Sequence, residues 1–207
     1  MPIKNITRSS IILTLFALVT TGLTAWTFIL TKDRIAAEKE NAIVRNINQI
    51  IAANLYDNDV ANDCIVRQNH LQKKTRIFRA RQAQTNVALA IETFAPDGYS
   101  GRIDLLVAVD SQFKILGVRT TAHNETPGLG DKIEVKKSNW IKSFNGLSIE
   151  PDNLQKWAVR KDGGMFDAFT GATITPRAVV NAVKDTLLWA QQQPDLFSQA
   201  ANCGVEQ

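Results

Sequence analysis

Residues 11–30, IILTLFALVTTGLTAWTFIL, hold no charged side chain. About 20 apolar residues rising 1.5 Å each match the ~30 Å hydrocarbon core of a bilayer, so this run is expected to form one membrane-crossing helix. Its threonines are compatible with that, because their hydroxyls can bond back to helix carbonyls. Lys4 and Arg8 precede the run, and Lys32 and Arg34 follow it. A removable signal peptide is the competing reading, with Leu23-Thr24-Ala25 as a poor cleavage site. Signal h-regions run only about 7–15 residues, whereas this one continues through Trp26, Phe28 and Leu30, so a retained anchor is expected. Its orientation stays open on charge alone, since Lys32, Arg34, Lys39 and Arg45 behind it offset Lys4 and Arg8 in front.

The chain has 207 residues, of which 44% are hydrophobic and 21% charged, enough for one folded domain beyond the anchor. A formal charge of +4 permits contact with anionic lipid or acidic partners but does not indicate nucleic acid. Cys64 and Cys203 are the only cysteines, and His70 and His123 the only histidines. An iron–sulfur cluster needs about four thiolates, and zinc demands closer spacings, so neither is expected. If the domain is extracytoplasmic, the two cysteines can pair and tie the C-terminal tail to the early helical region; otherwise they are unrelated thiols.

Residues 35–56 place Ile43, Val44, Ile47, Ile50, Ile51 and Leu55 at helical spacing, which predicts an amphipathic helix ended by Tyr56-Asp57-Asn58-Asp59. The basic run at 71–83, with Lys73, Lys74, Arg76, Arg79 and Arg81, reads as a solvated face leading into strand-like sequence. From about residue 75 to 122 the pattern is β: Val87 to Phe94, a turn at Pro96-Asp97-Gly98, Ile103 to Val109, a turn at Asp110-Ser111-Gln112, then Phe113 to Thr120. Short turns between consecutive strands predict an antiparallel meander. Trp140 to Phe144 suits a short helix. Pro176 to Gln192 suits a second amphipathic one, with Thr175 as N-cap and Pro176 in the first helical position. The expected fold class is α+β, an antiparallel meander with flanking helices behind one transmembrane helix.

The segment Asp167-Ala168-Phe169-Thr170-Gly171-Ala172-Thr173-Ile174-Thr175-Pro176 feeds small and hydroxyl residues into that helix start. A helix N-terminus presents free N–H groups and favours a phosphate. Gly171 and Ala172 leave room for something bulky beside Thr173. Taken alone this is weak evidence, and a threonine-rich cap without ligand is the better explanation of the pattern.

Asp167-x-x-Thr170-Gly171-Ala172-Thr173 resembles the flavinylation motif of the FMN-binding domain family. Ala95-Pro96-Asp97-Gly98-Tyr99-Ser100-Gly101, Glu125-Thr126-Pro127-Gly128-Leu129-Gly130-Asp131-Lys132 and Lys161-Asp162-Gly163-Gly164 match as well. With the anchor, these phrases make the chain similar to the flavin-bearing G subunits of Rnf (Rsx) electron-transport complexes. The C subunits of sodium-translocating NADH:quinone reductases are related and share the motif. The resemblance implies FMN held covalently through a phosphoester on Thr173, attached by a Mg-dependent flavin transferase that uses FAD. It implies electron transfer within an ion-translocating complex, with the other subunits, the transferase and membrane lipid as partners. It also implies an inner-membrane anchor with the soluble domain on the periplasmic side. The chain then divides into a cytoplasmic N-terminus at 1–10, the transmembrane helix at 11–30, an amphipathic helix and connector at 31–74, the covalent FMN-binding domain at 75–192 and a tail at 193–207.

Beyond Thr173, the resemblance makes Thr170, Gly171 and Ala172 the residues that shape and present the attachment loop. Asp167 assists recognition or caps local backbone. Glu125 and Thr126 are candidates to hydrogen-bond the flavin ring and Gly128 and Gly130 to bend the backbone; Lys161 is a candidate to face the phosphate, although a lone lysine is more often solvated surface. His123 is more readily structural than a proton carrier. No independent substrate-converting site is apparent. Two rivals stand beside this reading: an anchored assembly or interaction protein without bound flavin, and a soluble secreted binding domain freed by signal cleavage.

Overall fold

The computed structural model describes residues 2–203, and side chains from residue 6 onward apart from residues 39 and 40; the expected tail therefore extends in part, at 204–207, beyond the described residues. The chain divides into two compact units, residues 1–42 and 43–207.

In the first unit the chain is helical throughout its described length, as part of α1 (Pro2–Asn48). Ile6–Asn48 contains one stretch long and apolar enough to cross a membrane by length and composition. Leu13, Phe16, Leu23, Trp26 and Leu30 all stand exposed, an arrangement that water penalises and lipid does not. The threonines are satisfied within the helix: Thr14 donates to Ser10 O at 2.9 Å, Thr24 to Thr20 O at 2.8 Å and Thr31 to Thr27 O at 2.7 Å.

In the second unit, α1 ends at Asn48, short of the helix expected to reach residue 56, and a 3₁₀ turn, Ala53–Leu55, follows. The cause is tertiary. Arg119 Nη2 donates to Gln49 O at 3.0 Å, capturing a terminal carbonyl from outside the helix. Ile47 and Ile51 are buried, whereas Leu55 is left exposed.

Five strands follow in meander order, each antiparallel to the next: β1 (Cys64–Gln68), β2 (Lys74–Gln82), β3 (Thr85–Gly98), β4 (Gly101–Asp110) and β5 (Ile115–Ala122). Both sheet faces are covered, and the side chains divide between them with period two. Ile65, Ile77, Leu89, Ile91, Leu105, Val107 and Val109 join one core with Val179, Val180, Val183 and Leu187 of α2 (Ile174–Gln191). Phe78, Ala80, Ala88, Ala90, Leu106 and Ala108 join the other with Ile47, Ile51 and Val60. Four alanines on that second face let the segment ending α1 approach closely.

Several boundaries differ from the expected ones. The expected turn at Pro96-Asp97-Gly98 lies inside β3, where the register shifts between Ala95 and Gly98, and Gly98 still pairs with Gly101. A bulge accommodates a proline that cannot donate to the ladder, so the reversal falls at Tyr99-Ser100. Phe113, expected to begin a strand, sits in the β4–β5 turn with φ +58°, and Asp110 Oδ1 accepts the N–H groups of Gln112 at 2.8 Å and Lys114 at 3.0 Å. The basic run forms β2 and is not a uniformly solvated face. Lys73 and Lys74 are exposed, but Arg79 is only 2% exposed and pairs with Asp63, which also binds Arg81 Nε at 2.7 Å.

The segment 195–203 straps β1. Asn202 N donates to Cys64 O at 3.0 Å, Val66 N donates to Asn202 Oδ1 at 2.6 Å, and Arg67 Nε donates to Gln199 Oε1 at 2.7 Å. A Cys64–Cys203 disulfide closes the strap, with Cα atoms 5.6 Å apart. It joins the tail to an edge strand, not to the early helical region.

Candidate functional site

Between β5 and α2 the chain runs through loops and short 3₁₀ turns that pack on an aromatic core. Phe144 and Phe166 lie 4.5 Å apart by ring centroids and Trp157 and Phe166 5.4 Å, with all three rings buried. The glycine- and threonine-rich segment emerges from this base. Phe169 is 8% exposed and anchors a four-residue turn closed by Ala172 N–H donating to Phe169 O at 3.0 Å. The third residue of that turn, Gly171, has φ +80°, a conformation that a Cβ makes costly. Thr170 and Gly171 stand exposed at the tip.

Thr173 comes next and caps α2 at its N-terminus. The expected cap, Thr175, lies within the helix, and Pro176 falls in the third helical position rather than the first; its missing N–H costs nothing in either place. The Thr173 hydroxyl makes no capping hydrogen bond. The Thr175 hydroxyl is committed instead to Glu125 Oε2.

Glu125 is 5% exposed and ties three segments together. Its Oε1 accepts the Ser100 N–H at 2.9 Å, and its Oε2 accepts the Thr175 hydroxyl. Gly130 is needed here because a Cβ would come within 2.7 Å of Glu125 Oε2 and 2.9 Å of Thr175 Oγ1. His123 braces the same loop. Its Nδ1 accepts the Glu125 N–H at 3.0 Å, which leaves its proton on Nε2, 3.1 Å from Glu134 Oε1.

These elements enclose a cleft of about 290 Å³. One wall is Gly171 to Thr175, the other is Glu125, Thr126, Leu129 and Gly130, and Tyr99 reaches in from the β3–β4 turn. The structure thus brings Thr173, Gly171, Ala172, Glu125 and Thr126 together. It leaves two expected residues outside the lining: Thr170, at the turn tip, and Lys161, exposed on the Arg160–Asp162 turn. Beside Lys161, Asp162 binds Arg177 at 2.6 and 2.8 Å, and that hydrogen bond holds its carboxyl below the usual carboxylate range, with Lys161 adding a smaller effect.

The rim was not legible in the sequence. Among described residues from 43 onward, the exposed large apolar side chains are Leu55, Tyr99, Leu129, Leu154 and Ile174, and three of the five surround this cleft. Tyr99 is 68% exposed, Leu129 44% and Ile174 45%. Apolar groups concentrated about one concavity mark a ligand site. A flat aromatic ring would cover them, with its phosphate at the α2 N-terminus, so the residues fit FMN.

Residues 98–188 match the FMN-binding domain family, and residues 1–50 match the RnfG N-terminal region. The chain is 50% identical over 205 residues to the G subunit of the ion-translocating oxidoreductase complex of Photorhabdus laumondii, covering 98% of both chains. It is 45% identical to that of Shewanella loihica, again over 98% of both. It is 46% identical to that of Yersinia pestis, over 99% of this chain and all of the relative. With the FMN-binding domain and the N-terminal region both matched and near-full-length identity at this level, the chain belongs to the family of G subunits of Rnf ion-translocating oxidoreductase complexes.

Proposed function

We propose that this chain is an electron-transfer flavoprotein subunit of a membrane complex, with FMN joined to Thr173 Oγ through a phosphoester. The carrying observation is the Thr173 hydroxyl: outside any capping bond, at the N-terminus of α2, and facing a cleft with an apolar rim. A phosphodiester there carries one negative charge, which suits the partial positive charge of a helix N-terminus. The bound flavin supplies the redox chemistry. Glu125, tied to Ser100 and Thr175, holds the cleft walls in register. Leu129, Ile174 and Tyr99 shield the ring faces from water. At about 290 Å³ the cleft falls near the lower end of the ~300–1,000 Å³ typical of small-molecule sites, so it would enclose the ring only in part. A covalent tether makes full enclosure unnecessary and leaves an edge open to neighbouring redox centres.

The domain is proposed to lie on the periplasmic side of the inner membrane, anchored by the helix over 11–30. A disulfide-closed strap supports this orientation, because such bonds persist in oxidising compartments. The other subunits of the complex, a flavin transferase and lipid are the proposed partners.

The test is in-gel fluorescence under ultraviolet light after denaturation, using protein from a host that expresses the transferase. Wild type should fluoresce and Thr173→Ala should be dark. A dark wild type, beside a labelled control substrate, would remove the flavin reading and favour an anchored assembly protein.

A further inference from the structure

The segment proposed to carry the flavin is fastened by a residue outside it. Thr170 and Gly171 are exposed and Ala172 is small, so the tip has little with which to hold itself. It is fixed on both sides: after it, Thr173 O accepts the Arg177 N–H at 3.3 Å and the buried Thr175 hydroxyl is bound to Glu125; before it, the holding contacts come from Trp140. Trp140 donates its Nε1–H to the carbonyl of Asp167 at 2.7 Å. The same indole meets Phe169 edge to face, with centroids 5.1 Å apart. Trp140 is itself held by the buried Phe144, at 5.6 Å and 89°, and by its backbone N–H donating to Ser138 Oγ at 3.1 Å. The Asp167 carboxylate pairs with Arg160 at 3.1 Å, but both side chains are well exposed, and such pairs contribute little. The Trp140 indole thus joins Asp167 to Phe169, which is also buried in the main core, and from these two residues the turn to Thr173 departs.

We infer that Trp140 is a positioning residue for flavin attachment, its N–H bond to Asp167 and its contact with Phe169 holding the turn that sets the Thr173 hydroxyl at the cleft. This rests on Thr173 being the attachment residue. Attachment joins Thr173 Oγ to the flavin-side phosphorus of FAD and breaks the phosphorus–oxygen bond of the diphosphate bridge. AMP departs with that bond's electron pair, and the hydroxyl proton passes to a base on the transferase. Such displacement needs the attacking oxygen held close to phosphorus and in line, so a loop that wanders by about an ångström loses rate steeply. Trp140 supplies that restraint from outside the cleft lining.

The test uses the full-length apoprotein in detergent micelles with transferase, FAD and Mg²⁺, following incorporation by intact mass. Trp140→Phe keeps an aromatic ring against Phe144 and Phe169 and removes the indole donor together with part of the ring area, a packing loss that the stability control measures. Its kcat/KM should fall about five- to tenfold, the effect of one hydrogen bond, with the loss in kcat and not in KM for FAD. Ile141→Val, a change at the buried neighbour, serves as the stability control. Labelling is measured well below every melting transition, with near-ultraviolet dichroism verifying the folded fraction. A Trp140→Phe protein labelled at the wild-type rate, or slowed no more than Ile141→Val, overturns the inference and leaves the flavin reading standing. A wild type that accepts no flavin while a control substrate does overturns the flavin reading itself.

Discussion

At Thr175, one hydroxyl decides how the α2 N-terminus is built. Local chemistry favours threonine before proline as a helix cap. A buried carboxylate from a residue 50 positions away claims that hydroxyl first, so the capping position passes to Thr173. Satisfying Glu125 outweighs the local preference, because a buried carboxylate left short of a donor costs about 1–3 kcal/mol or more. Thr175→Val keeps the shape and removes the donor. It should lower unfolding stability by about 1–3 kcal/mol, read from the urea midpoint at unchanged slope. The same mutant should still accept flavin at Thr173, since its own hydroxyl is not the attachment point.

At the scale of elements, the edge of the sheet is where the fold departs most from local pattern. β1 is five residues long and β2 carries the basic run, so neither shows the apolar alternation that betrays a strand. What makes them strands is their company. Arg79 is buried against Asp63, and segment 195–203 occupies the free side of β1, shielding it from edge-to-edge pairing. The disulfide spans a sequence separation of 139 residues and restricts the unfolded chain correspondingly. Cys203→Ser should cost about 2–5 kcal/mol. Thermal melts with and without dithiothreitol check this: reductant should lower the wild-type transition towards that of the mutant and leave the mutant unmoved.

At the scale of the molecule, a histidine outside the site is expected to make stability depend on pH. His70 has its Nδ1 buried without a hydrogen-bond partner. Burial lowers its pKa below the ordinary 6.5, and Asp185 opposes that only in part. A histidine with a depressed folded pKa binds more protons when unfolded, so its contribution is complete above pH 6.5 and is lost as pH falls through the folded value. Urea midpoints should therefore decline below about pH 6.5, and His70→Gln should flatten that decline. An unchanged acid limb in the mutant would assign the decline to other groups.

Much of this protein follows from order along the chain. The apolar N-terminal helix, the β3–β4–β5 meander, helix α2 and the segment ending at Thr173 rest on periodicity, turn residues and one motif, all of them local, because period-two and period-3.6 patterns report burial whatever the partner. Glu125 and Thr126 are singled out in the sequence as candidates to hydrogen-bond the flavin ring, and that both line the cleft is a finding of the structure. Only the tertiary structure decided that Glu125 spends its oxygens on Ser100 and Thr175, that Tyr99, Leu129 and Ile174 make one apolar rim, and that Lys161 lies outside the lining. It also decided that α1 stops at Asn48 and that the tail straps β1. Each of these outcomes depends on which distant group satisfies a buried polar atom or covers an apolar one, a competition between partners far apart in the chain that no local window contains.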